Sequence, residues 1–232
     1  MKRTLPEVEE AGPLPPLPFP ARTIVETLAP LVTEARLSRI DTVIAQRTRS
    51  LVPVLEGLSD PHNGAAILRS ADAFGCHEVH LVDGRLPFAV SHRVSRGTHR
   101  WLELVRHERA EQCAASLHAR GYKIFVASME GELVPEDLAK EPKAAIVLGN
   151  EHAGPSEAMR AAADGTYRIP MVGFVESLNV SVASAITLYV ASRGRHGDLD
   201  ASAQEEIRAR FLLTQVKDAE AIVRRAAEVV RL

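Results

Sequence analysis

The stretch Ala144-Ala-Ile-Val-Leu-Gly-Asn-Glu-His-Ala-Gly-Pro155 passes from an all-apolar run of five residues through a polar loop toward an Ala- and Glu-rich segment at 155–163. A short, wholly apolar run bounded by Gly and Asn is the pattern of a parallel strand covered on both faces. A strand, a polar turn and a helix in succession make one half of a βαβ unit. The same grammar recurs outward from this point. Residues 51–56, 78–82, 122–127 and 166–170 read as further short strands, and 64–74, 108–120 and 179–193 as helices.

Two other strand ends lead into polar loops. Residues 60–75 (DPHNGAAILRSADAFG) place Asn63 at a helix start and Arg69 about two turns further on, with none of the GxGxxG spacing of a dinucleotide fold. Residues 170–189 (PMVGFVESLNVSVASAITLY) set Ser177, Asn179, Ser181 and Ser184 where a loop becomes a helix, at positions a packing helix would fill with aliphatics. Free backbone N–H groups at such an entrance cap with Ser or Asn, or bind carboxylates, phosphates or a ribose. Gly149 and Gly154 allow close backbone approach around Glu151. Three polar loops at strand ends predict a shared site.

The flanks differ from this core. Residues 1–22 form a Pro-rich tail with six of the chain's 14 prolines, a composition that holds no helix and predicts disorder. Residues 23–49 read as a helical extension, with Leu37, Ile40 and Ile44 on one face and Arg36, Arg39, Arg47 and Arg49 as a basic run. Beyond a core at 50–193, residues 194–232 read as a C-terminal extension of one or two helices, with Ser202-x-x-Glu205 as a capping box.

The chain has 232 residues, 46% of them hydrophobic and 25% charged, with a net charge of −2. This is a globular composition without global basicity, so any nucleic-acid contact requires a local patch. Cys76 and Cys113 are the only cysteines and the nine histidines are scattered, which predicts neither disulfides nor a metal site and suits a reducing cytoplasm. No run approaches the roughly 18 apolar residues of a membrane span.

Three motifs stand in order: N-x-x-A-x-x-R-S-x-D-A-x-G at Asn63–Gly75, G-x-E-x-x-G at Gly149–Gly154, and I-P-M-x-G-x-x-x-S-L-N-V-S-V-A at Ile169–Ala183. Together they resemble the SpoU (TrmH) class of S-adenosylmethionine-dependent RNA 2′-O-ribose methyltransferases in the SPOUT superfamily. Ser95-Arg-Gly-Thr-His-Arg-Trp101 is similar to a signature of that family's tRNA-acting branch. The resemblance implies an α/β fold, a SPOUT-type parallel sheet flanked by helices with a C-terminal deep trefoil knot, here between helical extensions.

It further implies a homodimer that methylates a D-loop guanosine ribose of tRNA. The alternatives are an rRNA substrate or a non-catalytic RNA-binding paralogue. By this resemblance the methyl donor lies along Ala127, Ser128, Met129, Leu148, Gly149, Asn150, Gly154, Ile169, Pro170, Met171, Ser177 and Leu178. Asn63, Arg69, Glu151, Ser177 and Asn179 match the family's polar active-site positions, with Arg69 as the proposed catalytic residue and no metal. Arg36, Arg39, Arg47, Arg49, Arg93, Arg96 and Arg100 are candidate RNA contacts. Glu176 departs from the Gln that relatives often carry.

Overall fold

A computed structural model of the chain describes residues 8–10, 15–82, 89–91, 101–195 and 197–229. They fall into two compact units, one combining 8–10 with the described residues of 49–195 and the other combining 15–48 with 197–229.

The first unit is built on a six-stranded, wholly parallel sheet. Strand β1 (Val8–Glu10) pairs antiparallel with β4 (Ala89–Ser91) apart from it. The main strands are β2 (Leu51–Glu56), β3 (Glu78–Val82), β5 (Glu103–His107), β6 (Lys123–Ala127), β7 (Ala144–Leu148) and β8 (Gly165–Tyr167), in the spatial order β5-β3-β2-β7-β6-β8. The period-2 alternation of a strand sends neighbouring residues to opposite faces, and both faces are covered. Leu51, Leu55, Ala144, Ile146 and Leu148 enter one core with Ile67, Leu68 and Leu188. Val52, Val54, Ala145 and Val147 enter the other with Cys113, Leu117 and Met159.

Helices α3 (Pro61–Ala73) and α7 (Val180–Ala191) pack together, as do α4 (Ala110–Ala119) and α6 (Glu157–Ala162), while the short α5 (Pro135–Leu138) lies against α7. Strand β5 has no counterpart in the sequence reading. It is one of the two edge strands, only Leu104 of its five residues is buried, and its Glu, Arg and His carry no apolar signal.

The second unit is helical. It contains α1 (Ala21–Leu28), a 3₁₀ turn at Ala29–Leu31, α2 (Glu34–Ala45), α8 (Ala201–Gln215) and α9 (Ala219–Val229). Helix α1 begins at Ala21, inside the stretch read as tail; residues 1–7 and 11–14 of that stretch lie outside the described residues. Ile24, Leu28, Ile40, Ile44, Ile207, Leu212 and Val223 are buried. The cap of α8 is Asp200, which accepts from Ala203 N at 2.8 Å, so Ser202 stands within the helix and not at its start. The arm breaks into two helices at Asp218, whose φ of 54° lies in the left-handed region. No described helix is long and apolar enough to cross a membrane.

Candidate active site

Chain order runs outward from β2 through β3 to β5, then returns on the other side through β6 to β7, which lies against β2. The topology therefore reverses between β2 and β7, and in open parallel sheets the crevice beyond the carboxyl ends of such strands is where ligands bind. The loops after Glu56 and after Leu148 meet there.

Glu151 joins them. Its Oε2 accepts from Ser59 N at 3.2 Å and Ser59 Oγ at 2.9 Å, and its Oε1 accepts from Asp60 N at 3.3 Å and Asn63 Nδ2 at 3.0 Å. Burial opposes the charge on Glu151. Hydrogen bonds from Asn63, from its own backbone and from Ser59 outweigh that penalty and hold the carboxyl down at about 2. Asp60, not Asn63, caps α3 by accepting from His62 N at 2.8 Å, with Pro61 in the first turn. Asn63 thus sits within the helix with its amide turned to the site.

That amide is used at both ends. Asn63 Nδ2 donates to Glu151, while Oδ1 accepts from Asn179 Nδ2 at 3.1 Å. Asn179 Oδ1 in turn accepts from Ser181 N at 2.9 Å and Ser181 Oγ at 2.6 Å, capping α7. An ionised carboxylate only accepts, so the chain Glu151–Asn63–Asn179–Ser181 has one consistent orientation of both amides. Ser184 takes no part in this chain, because it is fully buried along α7.

Asn150 shapes the neighbouring turn. Its Nδ2 donates to Gly57 O at 2.8 Å and its Oδ1 accepts from His152 N and Ala153 N. Backbone bonds between Asn150 and Gly154 close the loop. Gly149 has no room for a side chain: an added Cβ would lie 2.1 Å from Pro155 N.

Beside this clasp lies a cavity of about 570 Å³ lined by Ala127, Ser128, Met129, Tyr167, Arg168, Ile169, Pro170, Met171, Val175, Glu176, Ser177, Leu178 and Ala183. Its size suits a small organic ligand. Eight of the residues the resemblance assigned to the methyl donor are on its wall: Ala127, Ser128, Met129, Ile169, Pro170, Met171, Ser177 and Leu178. Leu148, Gly149, Asn150 and Gly154 are not; they form the end of β7 and the turn after it.

The cavity walls are held together by backbone. Ser128 N donates to Tyr167 O at 2.9 Å, and Arg168 N to Leu133 O at 2.9 Å. At Gly131 an added Cβ would stand 2.2 Å from the Tyr167 carbonyl carbon. The sequence reading missed Ser59, whose N–H and hydroxyl hold Glu151, and Gly131. A glycine four residues past the end of β6 was the available signal for the latter.

Arg69 is exposed on α3, the helix that carries Asn63. Among the proposed RNA contacts, Arg36 and Arg39 are exposed on α2, and Arg36 bonds Gln215 Oε1 through Nε at 3.0 Å and Nη2 at 2.6 Å. Arg49 is half-buried and pairs with Glu103 at 3.3 Å. Arg47 must be withdrawn as a phosphate contact: it is 1% exposed, so its guanidinium is closed to an RNA backbone. Arg93, Arg96 and Arg100, with the rest of the 95–100 segment, lie outside the described residues.

A parallel α/β sheet with a polar clasp at its topological switch and a ligand-sized cavity beside it defines an enzyme of the nucleotide- or cofactor-binding α/β class. Residues 50–189 match the SpoU rRNA Methylase family, and the chain belongs to that family. It is 37% identical over 164 residues to the tRNA (guanosine(18)-2′-O)-methyltransferase of Thermus thermophilus, covering 70% of this chain and 84% of that protein. The A. aeolicus TrmH/SpoU tRNA modifying enzyme superposes with a TM-score of 0.71 at 27% identity, over 79% of this chain and 98% of the other. AviRb of Streptomyces viridochromogenes in complex with AdoMet gives a TM-score of 0.57 at 30% identity, over 65% and 62% of the two chains.

Proposed function

We propose that this methyltransferase uses S-adenosylmethionine to methylate the ribose 2′-hydroxyl of the D-loop guanosine, position 18, of tRNA. The observation that carries the reading is the Glu151–Asn63–Asn179 clasp standing beside the 127–129/167–178 cavity, in a chain whose relatives bear that activity by name. The cavity fits the donor: Ser128 and Ser177 bring polar groups to its wall, and Met129, Met171, Val175 and Leu178 offer apolar surface for a purine. When bound, the sulfonium supplies an already activated methyl group.

The work left to the protein is alignment and charge control. Asn179 and Asn63, fixed by Glu151, hold the entrance of α7 and the start of α3 in register, so that Ser177 and Leu178 keep their places on the cavity wall. The Arg69 guanidinium anchors an RNA phosphate and stabilises the charge that develops on the 2′-oxygen as its proton passes to water. Arg36 and Arg39 on the helical unit supply phosphate contacts from outside the core, and the protein works where tRNA is found, in the cytoplasm.

A homodimer is part of the same proposal. Val182, Ile186 and Tyr189 lie at i, i+4 and i+7 on one face of α7, and are 47%, 37% and 50% exposed; Val172 and Phe174 in the loop that leads into that helix are fully exposed. An apolar stripe of this kind on a folded domain marks an interface, and a second copy offers the same stripe. The family's trefoil knot, with 168–179 threading a neighbouring loop, agrees with the backbone-to-backbone packing at Gly131 and Gly149.

The test is incubation with labelled S-adenosylmethionine and, separately, tRNA and rRNA transcripts, followed by nucleotide mapping. Label on a D-loop guanosine ribose is the expected result. Label confined to rRNA or to a base overturns it.

A further inference from the structure

Away from the clasp and the cavity, β3, β5 and α4 bring His80, His107 and Cys113 together. His80 and Cys113 are each 0% exposed, and His107 is half-buried at the end of the edge strand. His80 Nδ1 stands 2.8 Å from His107 Nε2 and 3.8 Å from Cys113 Sγ, and the three donor atoms lie within 4.8 Å of one another. Among the described residues, this is the one such grouping of three.

The other ring nitrogen of His80 is committed. Nε2 lies 2.6 Å from Glu78 Oε1, and Glu78 receives a bidentate fork from Arg120 at 2.5 and 2.7 Å. The Glu78 carboxylate, paired with the Arg120 guanidinium, accepts from His80 Nε2, which leaves Nδ1 to face His107 and Cys113. A carboxylate behind a histidine that offers its opposite nitrogen is the outer support found at metal centres.

We propose that His80 Nδ1, His107 Nε2 and Cys113 Sγ form a site for one Zn²⁺ ion, held apart from methyl transfer and tying the edge strand and α4 to the sheet. Two imidazoles and one thiolate are a borderline-soft set suited to Zn²⁺. Tetrahedral coordination at about 2.0–2.1 Å (N) and 2.3 Å (S) puts neighbouring donors roughly 3.3–3.6 Å apart. The nitrogen pair at 2.8 Å is closer than that and the nitrogen–sulfur pair at 3.8 Å a little wider, and the His80 and His107 rings are stacked within 14° at 5.0 Å between centroids, so an outward shift of the half-buried His107 ring opens the place for the ion.

The proton count closes. Without metal, a proton on His107 Nε2 bridges to His80 Nδ1; on binding, that proton is held on His107 Nδ1 and the Cys113 thiol proton passes to solvent. The ion thus gains one thiolate and two neutral imidazoles, and water completes its fourth position.

The experiment uses the untagged full-length protein after chelator treatment and dialysis, titrated with Zn²⁺ and with Co²⁺ as a visible probe. Expected are one ion per chain and a thiolate-to-cobalt charge-transfer band. At Zn²⁺ about 100-fold above its Kd the Tm should rise by roughly 5–10 °C. Cys113→Ser should abolish the band, and His107→Ala should abolish the Tm rise. The partly exposed position of His107 keeps the second variant informative where loss of the buried thiol unsettles the fold. His118→Ala, a surface change, should leave both signals intact. Absence of the band in wild type, or a Tm rise that persists in His107→Ala, overturns the proposal.

Discussion

Asn63 Nδ2 donates a 3.0 Å hydrogen bond to Glu151 Oε1 across 88 residues of sequence, binding the first turn of α3 to the loop after β7. Strands β2 and β7 lie side by side at the point where the chain reverses its winding, so the bond locks the floor of the site.

Glu151 makes the site acid-sensitive in a defined direction. Its folded carboxyl, at about 2, lies below the ordinary value of 4.5, so its contribution to stability is complete above about 4.5 and is lost as pH falls toward 2. Thermal melts from pH 6 to pH 2.5 should show Glu151→Gln losing less stability on acidification than wild type. Parallel curves for the two proteins would refute the assignment.

Asn63→Leu removes a donor to the carboxylate and an acceptor for Asn179 in one step. A cost of about 1–3 kcal/mol is expected from groups left unpaired. Methyl transfer should fall with it, and denaturant titration with single-turnover rates measures both.

Arg69→Ala should retain cofactor binding and lose about 10²–10³-fold in rate, the scale for removing one charge-stabilising donor. Arg69→Lys should recover only part, because a point charge does not reproduce the guanidinium fork. A pH–rate profile displaced along the pH axis in the lysine variant would assign the proton transfer itself to this position.

Gly131→Ala places a Cβ 2.2 Å from the Tyr167 carbonyl carbon, whereas Gly173→Ala meets nothing within 4 Å. The first should weaken S-adenosylmethionine binding at least tenfold by prising apart the cavity walls. The second serves as its control in the same calorimetric titration.

Among the basic residues, exposure divides the outcomes. Neutralising Arg36 and Arg39 should weaken tRNA binding and lower the salt slope by about one for each phosphate deprived of its cation. Arg47→Ala should lower Tm and leave that slope unchanged, since the residue is closed to solvent. For the proposed homodimer, wild type should sediment as a dimer and Val182→Glu with Ile186→Glu as a monomer in sedimentation velocity; a monomeric wild type would refute the interface.

The core strands were legible because each is short and largely apolar or rich in β-branched residues: residues 51–56, 78–82 and 144–148 have the same limits in sequence and in structure. The three polar loops were legible because serine, asparagine and glycine stand where packing alone would demand aliphatics. Edge strand β5 was hidden, since one covered face and one partner leave it free to be polar.

Local pattern thus determined an α/β domain with polar loops at strand ends, flanked by helices. It also identified Asn63, Glu151 and Asn179 as candidates. Pairing over long sequence separations belongs to the tertiary structure alone. That Ser59 holds Glu151, that Arg47 is buried while Arg36 is not, and that His80, His107 and Cys113 share one small volume follow from how parallel strands and their helices stack. Such crossings join residues that no periodicity relates, because hydrophobic alternation records which face a residue takes and not which distant residue it meets there.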